Sequence, residues 1–239
     1  MTAARAPLSR SAKGSRVVNR EQIIEAATRL ADEESIDALT IRRLAAEVGI
    51  GAMTLYSYFR NKEEILDGIA DDVLGGLALP GGGAESEPRE AMRALAIALL
   101  TMMREHPSIV RLFTTRVTMS REAMRGALEN ALVYLQRSGL PGVTAVQAYG
   151  LVMHYTLGFA SYQAPRSWGD PSHPEVEELR RQRVHFYSGL PLAEFPTMVS
   201  LADEMTSLPS DDQFMFGLDC LVDGFLHRLG PGATPGPAA

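Results

Sequence analysis

The chain has 239 residues, 46% of them hydrophobic, which is enough for a substantial core in one large domain or two. Its single cysteine, Cys220, excludes an intrachain disulfide, and no apolar run approaches the ~18–20 residues of a membrane span. A net charge of −6 argues at first against a nucleic-acid partner, but the charge is divided. Residues 1–62 hold ten Lys/Arg against seven Asp/Glu, whereas residues 63–239 hold thirteen against twenty-two. Nothing at the N-terminus resembles a signal peptide, so the expected location is cytoplasmic, where a cysteine stays reduced.

Taken in order, residues 1–18 lack apolar periodicity and carry Arg5, Arg10, Lys13 and Arg16 with no acidic residue. This reads as a disordered basic arm, serving either to track phosphates or as a solvated tail. Asn19 caps a first helix to about Ala31, with Gln22 at the capping-box position and Ile23, Ala26, Ala27 and Leu30 as its apolar stripe. Thr40 caps a second helix, Ile41 to Val48, and Gly49 follows its last apolar position, where a left-handed residue is needed. A third helix spans about Ala52 to Tyr58 with Leu55 and Phe59 inward, and Asn61 with Glu64 opens a fourth from Lys62 to about Leu77. Leu79 to Glu87, LPGGGAESE, is a joint.

The remainder reads as helix throughout. Segments are predicted over Pro88–Glu105, Pro107–Thr114, Ser120–Ser138, Thr144–Gln163, Glu175–Ser188, Thr197–Ser207 and Asp211–Leu229, the last opened by Ser210 and Gln213. Thr144–Gln163 is apolar nearly all round. Cys220 falls in the periodic last helix and reads as a small core residue. Residues 230–239 form a disordered tail. With no strand-period alternation and no repeat, the expected fold class is all-α.

A small residue (Ala45), a glycine, an apolar turn residue (Ile50) and a buried leucine in register point to a helix-turn-helix, with a plain helical hairpin as the alternative. The stretch resembles the DNA-binding domain of the tetracycline-repressor (TetR) family through Leu39-Thr40, Arg42, Leu44-Ala45, Val48-Gly49-Ile50, Thr54-Leu55-Tyr56, Tyr58-Phe59, Asn61-Lys62 and Ile65-Leu66. The likeness covers about Asn19 to Val73, and FMFGLDCLVDGFLHRL (Phe214 to Leu229) resembles the closing helix of that family's regulatory domain. The resemblance implies a three-helix DNA-binding domain at 19–66, linked through helix 62–77, and a helical regulatory and dimerisation domain at 67–229. It further implies a ligand-responsive regulator, usually a repressor, that binds a palindromic operator of double-stranded DNA as a homodimer.

Carried over residue by residue, the resemblance assigns phosphate contacts to Thr40, Tyr56, Tyr58 and Lys62. Tyr58 reads almost equally as a half-buried core ring. Base reading falls to Arg42 and to Gly51, Ala52, Met53, Thr54 and Tyr56. Three of these offer no side-chain hydrogen bond, so Arg42 is the candidate for a guanine contact, with Ala52 and Met53 against thymine methyls. For dimerisation the expected residues are Val146, Gly150, Leu157, Phe214, Leu218, Leu221, Val222, Phe225 and Leu226. On the last helix, Phe214, Leu218, Leu221, Phe225 and Leu229 are assigned to one face, and Met215, Val222 and Leu226 to another. A pocket for a small apolar or aromatic effector is expected among Met103, Phe113, Tyr134, His154, Tyr155, Phe159 and Trp168, although such residues at helical spacing also serve as plain core.

Catalysis has little support. The histidines form no HExxH pair, one cysteine excludes a multi-cysteine zinc site, and GxGxxG, GxxxxGK[ST] and GxSxG are missing from the sequence. No cofactor or metal is expected. The alternative to effector control is a DNA binder governed by a protein partner, which would show a filled bundle and an exposed apolar patch.

Overall fold

The computed structural model describes residues 18–80, 86–115, 120 and 124–230. The expectations for the basic arm, the C-terminal tail, the Gly81-Gly82-Gly83 run and the start of the helix after Ser120 lie essentially outside these residues. Within them every regular element is helical, and the chain divides into two compact units, residues 1–66 and 67–239.

In the first unit, α1 (Arg20–Glu34), α2 (Ile41–Val48) and α3 (Ala52–Tyr58) enclose one core. Ile23, Ala27, Leu30, Leu39, Leu44, Leu55 and Phe59 are all at most 2% exposed, each large side chain contributing ~1.5–3 kcal/mol by leaving water. Asn19 and Gln22 make the reciprocal capping box that the sequence predicts. Thr40 Oγ1 accepts from the Arg43 N–H at 3.1 Å, and Gly49 leaves α2 at φ 78°, which a side chain rarely adopts. Asn61 accepts from the Glu64 N–H at 2.9 Å, while the Glu64 carboxylate reaches back to the Arg60 N–H at 2.8 Å, one residue beyond a strict capping box. These bonds start α4 (Lys62–Gly75).

The second unit is a helical bundle. Its elements are α5 (Pro88–Glu105), α6 (Pro107–Thr115), a wide-turn segment Met124–Glu129 running into α7 (Asn130–Arg137), and α8 (Val143–Gln163). A 3-10 turn Ser167–Gly169, α9 (Val176–Ser188), α10 (Pro196–Ser200), α11 (Ala202–Thr206) and α12 (Asp211–Arg228) follow. The core lies where α5 meets α8 and α12. Met92, Leu95, Ala96, Leu99 and Met103 of α5 and Ala145, Ala148, Val152 and Ala160 of α8 are buried in this core, where the two helices pack on each other and the alanines permit close approach. Charge adds a second seam: Arg89 and Arg93 pair with Asp219 and Asp223, and Arg104 with Asp211. The helix predicted over Thr197–Ser207 is two short ones, because Leu201 leaves helical geometry at φ −115°, ψ 27°.

Two readings of the last helix need correction. Cys220 is exposed, not core. The assigned faces are also wrong: Phe214, Leu218 and Val222 are at most 1% exposed and pack into their own chain, so none is available to a second copy. The outer face instead carries Phe216, Cys220, Leu221 and Gly224. On a helix that is apolar nearly all round, periodicity alone does not say which stripe meets the same chain.

No helix among the described residues is long and apolar enough to cross a membrane.

Candidate functional site

The turn at Gly49–Gly51 sets α3 on the surface of the first unit, with Leu55 as its one buried side chain. Gly51, Ala52, Met53, Thr54 and Tyr56 all face solvent, and Met53 is 82% exposed, unusual for so large an apolar side chain. Two adjacent arginines on α2 have opposite fates. Arg43 donates to Glu34 (2.6 and 3.2 Å) and Glu47 (2.9 Å), and these carboxylates, Glu34 foremost, raise its pKa above the usual arginine range. Arg42 is exposed and makes no ion pair or hydrogen bond among the described residues. A guanidinium without an intramolecular partner keeps its donor fork for an external acceptor.

The expected phosphate contacts divide. Thr40 uses its oxygen as a cap acceptor, so the hydroxyl proton remains available. Lys62 gives one of its three protons to the Ile36 carbonyl at 3.3 Å and keeps two. Tyr58 is corrected to a structural role: its hydroxyl donates to the Val18 carbonyl at 2.7 Å, committing its only proton to tying the chain entry onto α3.

In the second unit the seven expected pocket residues do not converge. His154, Tyr155 and Phe159 line one cavity of about 440 Å³ with Gly158, Tyr162, Leu208 and Gln213. Tyr155 stacks on Phe214 (centroids 5.3 Å apart), and its hydroxyl donates to the Phe214 carbonyl at 2.8 Å. Burial, and then the neighbouring Cys220, raise its pKa above the ordinary phenol value. Trp168 lines a separate cavity of about 330 Å³, which shares Tyr162 and Leu208 with the first. Met103 borders a third, of about 130 Å³. Phe113 and Tyr134 belong to none of these; Tyr134 is buried in the core at 7% exposure. A further space of about 670 Å³ between residues 72–80 and 94–106 has no counterpart among the expected pocket residues, because its lining is mostly small and aliphatic.

Gln163 holds the end of α8. It is 5% exposed, and its amide N–H₂ donates to the carbonyls of Gly169 (2.7 Å) and Pro209 (2.8 Å) while its oxygen accepts from Arg104 Nε (2.9 Å). Only one orientation of the amide satisfies all three. A Cβ on Gly169 would meet Pro209 Cγ at 2.4 Å and its carbonyl at 2.5 Å, so glycine is required for this approach. Neither residue was singled out from sequence. A glutamine ending an apolar helix was the available signal.

The outer faces of α8 and α12 are apolar and uncovered in the single chain. Val143 (73% exposed), Val146 (55%), Gly150, Leu157 and Gly158 occupy one; Phe216 (66%), Leu221, Gly224 and Phe225 occupy the other. A Cβ on Gly158 or Gly224 would meet nothing within 4 Å, so both lie on open surface that a second helix can approach closely. Of the expected interface, Val146, Gly150, Leu157, Leu221, Phe225 and Leu226 retain accessible surface.

Residues 23–69 match the family model for bacterial regulatory proteins of the tetR family, and residues 83–229 match that of the tetracyclin repressor-like C-terminal domain. The HTH-type transcriptional repressor DrrR1 of Streptomyces coeruleorubidus is 31% identical over 206 residues, covering 85% of this chain and 76% of its own. The tetracycline repressor protein class D of Escherichia coli is 26% identical over 215 residues, 89% of this chain and 91% of its own. Among solved structures, the Streptomyces coelicolor TetR family protein ActR in complex with actinorhodin superposes with TM-score 0.69 at 28% identity, over 91% of this chain and 99% of ActR. A TetR variant from Acinetobacter baumannii in complex with minocycline gives 0.60 at 25%, over 90% and 100%.

Proposed function

The chain belongs to the tetracycline-repressor family of transcriptional regulators, and from that membership we propose an effector-released repressor that occupies a palindromic operator as a homodimer. Residues 19–66 are the DNA-binding domain and 67–229 the regulatory and dimerisation domain.

The observation that carries the reading is the solvent-facing row of Arg42, Ala52, Met53 and Tyr56, with Arg42 unpaired beside a fully engaged Arg43. Arg42 offers a bidentate fork to guanine O6 and N7; Ala52 and Met53 offer apolar contact to thymine methyls. Thr40, Tyr56 and Lys62 hold the phosphates that fix register. One such unit grips too little duplex for a specific site, so two copies are required. The uncovered faces of α8 and α12 supply their interface through Val146, Gly150, Leu157, Leu221, Phe225 and Phe216. A small apolar or aromatic effector enters the cavity of His154, Tyr155 and Phe159. The bound small molecules of ActR and of the A. baumannii variant support effector control. The protein works in the cytoplasm, where its operator lies.

Fluorescence anisotropy against the DNA flanking its own gene, titrated in salt beside a scrambled duplex, tests this. Tight binding that beats the scramble, at two chains per site, is expected. Equal, salt-sensitive binding to both duplexes would remove the operator reading for that DNA.

A further inference from the structure

Four arginines lie between α8 and α12, and they divide in two. Arg180 and Arg181 pair with carboxylates one turn back, Glu177 at 3.9 Å and Glu178 at 2.7 Å. Arg166 and Arg183 have no carboxylate partner among the described residues. Each lies on an aromatic face instead. The Arg166 guanidinium sits 3.6 Å from the Tyr162 ring centroid, and that of Arg183 sits 4.1 Å from Trp168, 5.5 Å from Phe186 and 6.0 Å from Tyr187. Both line the cavity of about 330 Å³ that Trp168, Tyr162, Tyr187, Met205, Leu208 and Pro209 complete.

Stacking satisfies the face of a guanidinium but leaves its edge donors free. Arg166 spends one of them on the Tyr162 carbonyl at 2.5 Å. Two unneutralised positive charges line one small space, within residues 63–239, where acidic residues outnumber basic ones twenty-two to thirteen. Such a space rejects cations, although its rings alone would suit them, and it attracts an anion whose body is flat enough to lie against Tyr162, Trp168 and Leu208. The Trp168 indole N–H is buried without an acceptor, so no hydrogen bond from the ring fixes it, and it can re-seat against a ligand.

We propose that this cavity is the binding site for a planar aromatic carboxylate, its acid group held on the free edges of Arg166 and Arg183. The assignment names the chemical class of the effector, and it rests on the reading of the chain as an effector-controlled repressor. The shared wall of Tyr162 and Leu208 lets a larger ring system continue into the cavity of His154 and Phe159.

The probes are 2-naphthoate and its uncharged counterpart 2-naphthamide, titrated by calorimetry into the full chain. Trp168 is the only tryptophan, so a change in its emission on adding aliphatic hexanoate or benzoate, which are transparent at its excitation wavelength, reports the same site. We expect naphthoate to bind at least tenfold more tightly than the amide, and benzoate but not hexanoate to shift the tryptophan emission. Arg183→Met, which keeps the stem and removes the charge, abolishes the preference for the anion, and Arg183→Lys restores it in part. Equal affinity for both naphthyl probes, no binding of either, or a preference that survives both Arg183→Met and Arg166→Met overturns the proposal. Melting curves confirm that each variant is folded. Operator binding without probe is measured separately, so loss of the repressor reading is distinguishable from loss of this site.

Discussion

Replacing Gln163 by leucine tests the clamp that fixes the chain after α8. Leucine fills nearly the same volume, so the cost is polar, not a cavity. The substitution removes three hydrogen bonds and leaves the buried carbonyls of Gly169 and Pro209 without their amide donor. An orphaned buried group costs ~1–3 kcal/mol, so two give ~2–6 kcal/mol. We expect ~3 kcal/mol, near the lower end, because Arg104 keeps Asp211 as a partner. Urea unfolding at fixed protein concentration, followed by Trp168 emission and circular dichroism, reads the loss. At a slope of ~3 kcal/mol per molar urea the midpoint falls by ~1 M. Gln163→Glu separates the contacts, since it keeps an acceptor for Arg104 but replaces the nitrogen that makes both donations by an oxygen facing two carbonyl oxygens. It is expected to be at least as unstable as the leucine variant. A loss below ~1 kcal/mol for leucine, or native stability for Gln163→Glu, would refute the clamp.

Further outcomes are expected elsewhere. Arg42→Ala weakens operator binding by ~1–3 kcal/mol and relaxes preference at one base pair; an unchanged consensus in a binding-site selection removes it from base reading. Tyr58→Phe loses ~1 kcal/mol of stability with the Val18 bond and leaves the salt dependence of operator binding as it was; a lower salt slope would return Tyr58 to the phosphate contacts. Leu221→Asp, on the outer face of α12, yields a folded monomer by sedimentation, and a dimer of native affinity would move the interface elsewhere. Burial raises the phenol pKa of both Tyr149 and Tyr155. Their unfolded forms therefore ionise first, so stability is complete below pH ~10 and declines as pH rises through the folded values. Tyr155→Phe should flatten that decline.

The first unit was almost fully legible because its signals are local. Thr40, Gly49, Asn19 and Asn61 each act within four residues of themselves, so caps and turn can be read from spacing alone. Arg42 and Arg43 were distinguished in sequence by resemblance only; the physical distinction needs Glu34, which another helix brings within 2.6 Å. In the second unit the helices were legible and their orientations were not. On α12 every side is apolar somewhere, and only the neighbours supplied by α5 and α8 decide that Phe214 and Leu218 turn inward while Phe216 and Cys220 turn out. The expected pocket failed to converge for the same reason. Aromatic composition identifies side chains that occupy space, whereas a cavity is the space they leave.

The contact of Tyr155 with α12 has a bearing on how such a regulator changes its habits over generations. A Cβ on Gly217 would lie 2.3 Å from the Tyr155 hydroxyl and 3.0 Å from its ring. Any other residue at 217 must therefore displace a ring that forms one wall of the His154 and Phe159 cavity. Position 217 does not line that cavity, yet a mutation there reshapes it. A lineage acquiring even alanine at 217 would shift which molecules it answers to while every cavity-lining residue stayed the same. Relatives with identical linings can thus diverge in response, and the record of that divergence would sit on the back of a helix.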